Sequence, residues 1–130
     1  MSAKQVIVMK KFPKIRNMRT GKYVAQGAHA AMGSLFSIGA ISGDNFVIPL
    51  SNPFVKEWVL GNFKKVAVYV ETDQELIDIY KQAMAANLPC ALIKDSGLTE
   101  FDGVPTLTAV GVGPENEEAI NKITGHLPLF

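Results

Sequence analysis

Four short apolar runs, rich in β-branched residues, punctuate the chain at residues 5–9 (QVIVM), 65–70 (KVAVYV), 90–93 (CALI) and 106–112 (TLTAVGV). Runs of this length, bounded by turn residues, read as buried strands. The first two connections are long enough to hold helices, and a strand–crossover–strand unit in one sheet is parallel and right-handed. The third connection is short, so the fourth run is expected as an antiparallel neighbour of the third. The order β-α-α-β-α-β-β-α therefore predicts a three-layer α/β/α domain around a four-stranded mixed sheet.

The helices have their own signals. Thr20 is a candidate cap for a helix through YVAQGAHAAMGSLFS, whose alanines and small residues suit close packing despite Gly27 and Gly33. Residues 38–51, with Gly39 and Gly43, read as an irregular excursion. Asn52-Pro53 then supplies a cap and a proline at the first helical position of a short helix that Gly61 ends. Thr72 with Glu75 three residues on makes a capping-box signature for a helix to about Asn87, in which Leu76, Ile77, Tyr80 and Met84 keep the period. Gly113-Pro114 precedes an acidic helix ending at Thr124-Gly125. No repeat or linker interrupts the pattern, so residues 1–130 are read as one domain. With 48% hydrophobic and 19% charged residues, disordered and low-complexity classes are excluded.

The lone Cys90 has no disulfide partner and no CxxC spacing for zinc. The apolar stretch between Lys4 and Lys10 is too short for a signal-peptide core, and no run approaches a membrane span. The expectation is a soluble cytoplasmic protein.

Charge is strongly polarised along the chain. The first 43 residues hold seven lysines and arginines and no acid, whereas residues 44–130 hold the other six against all 12 Asp and Glu. An unneutralised basic stretch raises affinity for a polyanion, since each phosphate contact releases counterions. A solvated basic loop is the bland alternative.

In an open sheet of this kind, ligands sit outside the carboxyl ends of the parallel strands. The first strand delivers the basic loop and Lys22 to that edge, the third delivers Asp95, and an antiparallel fourth strand begins there. Thr106 and Thr108 share a face by the two-residue period, so Lys22, Asp95, Thr99 and these hydroxyls converge on one place. Lys22, Gln26 and His29 form a polar stripe at i, i+4 and i+7 on an otherwise apolar helix. Nucleotide-binding glycine motifs, metal-hydrolase histidine pairs and a serine-hydrolase elbow are absent from the sequence. His126, in the terminal TGHLPLF, reads as a capping or packing residue.

The stretches GKYVAQGAHAAMG, LPCALIKDSGLTEFDGVPTLTAVGVGP and INKITGHLPLF closely resemble type 2 peptidyl-tRNA hydrolases, the archaeal and eukaryotic type with bacterial and phage members. The resemblance spans nearly the whole chain, is most specific around Asp95 and is least diagnostic over residues 38–62. It implies an enzyme that cleaves the ester between a peptide and the terminal ribose of tRNA, recycling tRNA, with no metal or other cofactor and as a homodimer. By motif matching, its functional residues fall on Lys22, Asp95, Thr99 and Thr108, with Gln26 and His29 at lesser positions. Lys14, Arg16 and Arg19 of the basic segment are expected to hold the tRNA backbone. Two departures stand out. Leu98 occupies a position where many relatives carry arginine, and the loop before Thr106 is one residue longer, so Thr106 competes with Thr108 as the second threonine.

Ester hydrolysis needs an oriented or activated water, a positive group for the tetrahedral oxyanion and a grip on phosphates. Asp95 suits the first role, as base or as orienter; Lys22 suits the second, or holds Asp95 ionised; the hydroxyls position water and substrate. The competing readings are a non-catalytic RNA- or protein-binding adaptor of the same fold, and a hydrolase of a related acyl ester.

Overall fold

The computed structural model describes residues 2–13, 18–97, 101 and 103–130. Its four-stranded sheet is built from β1 (Ala3–Lys10), β4 (Lys65–Val70), β5 (Cys90–Asp95) and β6 (Thr106–Asn116), in the order β4-β1-β6-β5. The helices are α1 (Thr20–Phe36), α2 (Pro53–Leu60), α3 (Asp73–Ala85) and α4 (Glu117–Thr124). All four expected strands and all four helices form, and the sheet is mixed as expected.

β1 and β4 pair in parallel, while β6 is antiparallel to both β1 and β5. The strands β1, β4 and β5 thus run in one direction, but β6 lies between β1 and β5 and leaves a single parallel pair. Alternation along β1 divides the two faces. Val6 and Val8 join Leu76, Ile79 and Ala83 of α3 and Ile120 and Ile123 of α4, whereas Met9 packs with Ala30 of α1 and with Ala109. These faces are the outer helical layers on either side of the sheet.

α1 lies close against β6. A Cβ on Gly111 would fall 2.2 Å from the Ala30 carbonyl oxygen, so no larger residue fits there. Ser34 Oγ donates to the Gly113 carbonyl, and Gln5 Nε2 donates to that of Ala31. The C-terminal residues close the open edge of β4: Phe130 N donates to Ala67 O, and Tyr69 N donates to Pro128 O. Covering an edge in this way removes a template for pairing with other chains.

Two local expectations are corrected. Residues 38–51 contain a small hairpin, β2 (Ala40–Ser42) and β3 (Asn45–Val47), joined through Gly43 at φ +60°. Its strands are only three residues long and every residue in them is exposed, so they carry no burial pattern for a sequence reading to detect. Thr20 is the first helical residue of α1; the cap position is Arg19, in an extended conformation with no side-chain capping bond. The other caps form as expected, Asn52 accepting from Phe54 N and Thr72 from Glu75 N.

Candidate active site

β5 ends at Asp95 and α1 opens near Lys22, so the sheet edge where β1 and β5 finish brings the two together. Lys22 Nζ donates to Asp95 Oδ1 at 2.9 Å, with the side chains only 16% and 12% exposed. Gln26, one turn further along α1, donates through Nε2 to the same oxygen at 3.2 Å. The Gly97 amide donates to Oδ2 at 2.8 Å. Gly97 adopts φ +83°, and a Cβ there would fall 2.3 Å from the Val104 carbonyl oxygen, so the turn admits only glycine. This amide was not among the expected site groups. Its signal is present in Asp95-Ser96-Gly97, since an aspartate commonly accepts from the backbone two residues on.

Burial pushes the Asp95 carboxyl up, but the Lys22 hydrogen bond, the Gly97 amide, the lysine charge and Gln26 together outweigh it. The result is a pKa below the ordinary value of 3.8. Asp95 is therefore an ionised acceptor at neutral pH and a poor proton acceptor in the Brønsted sense.

Behind this pair lies a second polar layer. Thr108 Oγ1 donates to Gln26 Oε1 at 2.6 Å, and Thr108 and Gln26 are 0% and 1% exposed. The β5–β6 register shifts between Ile93, which faces Ala109, and Lys94, which faces Leu107. Thr108 is the extra residue of this bulge. As a result, consecutive residues face α1: Thr108 meets Gln26, and Ala109 packs with Ala30. Bulges beside functional sites commonly re-aim a side chain in this manner. Thr106 pairs with Asp95 in the register but donates its hydroxyl to Val104 O, so of these two threonines it is Thr108 that connects to Asp95, through Gln26.

The expected polar stripe divides. The packed face of α1 carries Gln26, Ala30 and Ser34, and His29 falls beside that face and is exposed. The basic segment divides too. Lys4 lies at the opposite end of β1 and donates to Asn121, while Lys10 pairs with Asp73. Lys11, close to the site edge, lies over the Tyr69 ring, and Arg19 sits exposed at the start of α1. Lys14, Arg16, Leu98 and Thr99 lie outside the described residues. Among the described residues, no group of three His, Cys, Asp or Glu side chains is placed to hold a metal ion.

On the other flank of α1, an apolar groove of about 550 Å³ runs between the helix and the β1–β4 surface. Val24, Ala28 and Met32 line it from α1, and Phe63 and Phe130 line it from the far side. No helix among the described residues is long and apolar enough to cross a membrane.

The chain matches the family model described as Peptidyl-tRNA hydrolase PTH2 over residues 3–130. It is similar to a peptidyl-tRNA hydrolase of Methanocaldococcus jannaschii, with 44% identity over 126 residues covering 94% of this chain and all of the relative. A Methanopyrus kandleri peptidyl-tRNA hydrolase is 36% identical over 127 residues, covering 98% of this chain and 97% of the relative. One from Methanococcus maripaludis is 38% identical over 119 residues, covering 89% and 94%. Near full-length matches of this kind, on a chain whose sheet edge gathers Lys22, Gln26 and Asp95, establish that it belongs to the peptidyl-tRNA hydrolase PTH2 family.

Proposed function

We propose that the Lys22–Asp95 pair is the hydrolytic centre of a peptidyl-tRNA hydrolase that cleaves the ester between a peptide and the terminal ribose of tRNA. The observation that carries this reading is the ionised Asp95 carboxylate, fixed by three donors beside a lysine ammonium at the carboxyl ends of the strands.

In this mechanism Asp95 orients rather than deprotonates. A carboxylate offers about four acceptor positions, three are occupied here, and the attacking water takes the remaining direction. Water adds to the ester carbonyl carbon, and Lys22 stabilises the oxyanion of the tetrahedral intermediate through its charge in a site with little solvent. The intermediate collapses with cleavage of the bond to the ribose oxygen, which takes up one of the water's protons. The products are a peptide carboxylate and tRNA with a free terminal hydroxyl, and the second proton of the water leaves to solvent. Thr99 is assigned to positioning water or substrate, and Lys11, Lys14, Arg16 and Arg19 to the tRNA phosphates. His29, exposed near this edge, is assigned to the substrate side rather than to the reacting atoms.

The working location is the cytoplasm, where peptidyl-tRNA arises. The working assembly is a homodimer joined through the outer surface of α1. In support, Val24, Met32 and Phe36 of that helix are 67%, 55% and 44% exposed, and an apolar stripe continuous with a groove normally marks an interface.

The decisive experiment is single-turnover hydrolysis of peptidyl-tRNA by purified wild type, Lys22→Ala and Asp95→Asn. Each variant is expected to lose about 100-fold or more in rate. A wild-type protein that binds tRNA and never cleaves the ester would instead favour an adaptor.

A further inference from the structure

We propose that the pocket where β1 and β4 end is a cytosine subsite for the unpaired end of the tRNA strand, with Tyr69 as the stacking platform, Glu71 as the acceptor that reads the base and Lys11 as the phosphate contact. The proposal rests on the reading of Asp95 as part of the hydrolytic centre, which fixes where the terminal ribose lies.

The pocket, of about 380 Å³, is lined by Lys11, Phe12, Pro13, Tyr69 and Glu71. It offers three kinds of group that one nucleotide engages together. An aromatic face stacks on a base. An exposed carboxylate, here Glu71, accepts from the exocyclic amine of cytosine but repels the carbonyl oxygen that uracil carries at the same position. A lysine ammonium neutralises the phosphate. Lys11 Nζ lies 4.8 Å from the centre of the Tyr69 ring, and its exposed side chain swings from the ring to the phosphate as the base arrives.

The walls are set in advance. Lys11 N donates to Val70 O, which carries the β1–β4 pairing one residue past the strand, and Phe12 N donates to the Tyr23 hydroxyl at 3.0 Å. Phe130 packs edge-on against Tyr69 and 4.9 Å from Tyr23. A platform fixed in this way costs little ordering on binding.

Its position follows from the register. Tyr69, Met9, Ala109 and Ile93 form one row across the sheet and pack together on the α1 side. Asp95 lies two residues beyond Ile93 and meets the same helix through Lys22. Tyr69 and Asp95 thus share a face and an edge, with β1 and β6 between their strands, a separation of about 14 Å. That is farther than a base lies from its own ribose. With the terminal ribose at Asp95, the pocket receives the base of a preceding nucleotide, and the unpaired nucleotides before the terminal adenosine of tRNA are cytosines. The first turn of α1 lies between the two places, carries no acid and suits the linking phosphate.

The test measures kcat and KM for wild type, Tyr69→Leu, Tyr69→Phe and Glu71→Gln on peptidyl-tRNA, on peptidyl-tRNA with both unpaired cytosines replaced by uridine, and on a minimal peptidyl-adenosine ester. Tyr69→Leu should lower the ratio of kcat/KM on peptidyl-tRNA to that on the minimal ester about tenfold, the scale of one stacked base. Tyr69→Phe should hold that ratio within about twofold of wild type. Uridine ends should cost wild type about tenfold, and Glu71→Gln, whose amide both donates and accepts, should abolish that preference. Lys11→Gln should lower the salt slope of tRNA binding by about one. A wild-type ratio in Tyr69→Leu, a loss in it that is equal on the minimal ester, indifference of wild type to uridine, a preference that survives Glu71→Gln, or an unchanged slope in Lys11→Gln overturns the subsite. A wild type that cleaves none of the three substrates overturns the underlying reading instead, and filter binding of uncharged tRNA with cytosine or uridine ends then decides the subsite separately. Thermal unfolding accompanies the kinetics; if Tyr69→Leu proves unfolded, the exposed Glu71→Gln and the uridine ends decide the matter.

Discussion

Replacing Asp95 by asparagine perturbs the proposed centre at one group and leaves its volume intact. The carboxylate accepts on both sides, from Lys22 and Gln26 on Oδ1 and from the Gly97 amide on Oδ2. An asparagine amide therefore sets its NH2 against an N–H donor whichever way it turns. Removing one partner of a fully buried ion pair costs about 3–5 kcal/mol. Here both side chains keep more than a tenth of their exposure, and solvent screening reduces the expected loss to about 2 kcal/mol. In a chain of this size that corresponds to a fall in melting temperature of roughly 6–10 °C. Turnover should fall about 100-fold or more, equivalent to about 2.7 kcal/mol of transition-state stabilisation. Binding of tRNA should be equal or tighter, since a negative charge beside an anion has been removed.

The pH dependence follows from the depressed pKa. A carboxyl whose folded pKa is lowered stabilises the protein above its unfolded value, and this contribution is lost as pH falls through the folded value. The stability gap between wild type and Asp95→Asn should be full at pH 7 and close below about pH 3.8. Single-turnover hydrolysis, filter binding and thermal unfolding from pH 7 to pH 3 measure all of this. Wild-type hydrolysis by Asp95→Asn, or a gap that persists unchanged at pH 3, would refute the reasoning.

Binding of tRNA should weaken steeply between about 50 and 200 mM salt, while hydrolysis of a minimal ester should change little. Replacing Lys14 or Arg16 should lower the slope by about one for each phosphate no longer neutralised, and equal shallow slopes for both substrates would remove the basic segment from the RNA site. Full activity is expected after exhaustive chelation; inactivation reversed by one particular metal would contradict the metal-free mechanism. Sedimentation over a concentration series should show twice the monomer mass, and Met32→Glu should shift it to the monomer if the α1 surface is the interface.

The strands were legible because short apolar runs of four to seven residues bounded by turn signals suit burial in a sheet, and the Lys22–Asp95 meeting followed from the sheet edge to which both segments lead. Asn52-Pro53 and Thr72 with Glu75 were legible because capping is local chemistry. What remained hidden depends on tertiary packing. The periodicity of α1 put Gln26 and His29 on one stripe, but helix–sheet contact buries Gln26 and leaves His29 outside it. Strict alternation treated Thr106 and Thr108 as equivalent, and a bulge has no sequence period. Clustering of basic residues in sequence did not mean clustering in space, because an extended β1 carries Lys4 to the end opposite Lys10. The central place of β6 did have a signal. Its apolar run, TLTAVGV, is the longest of the four, as suits a strand covered on both faces, whereas connection length alone specified only its pairing with β5.

That central place also governs when the molecule becomes a molecule during synthesis. β6 is the strand that joins the β4–β1 pair to β5, and it is the last strand to be made. A nascent chain that has not yet reached residue 106 holds one parallel pair and an isolated strand, with α1 lacking the surface on which Ala30 and Ser34 settle. Its pairings are distant in sequence, which slows closure and leaves apolar surface open while the ribosome is still at work. The sheet is completed only in chains that have been read through β6.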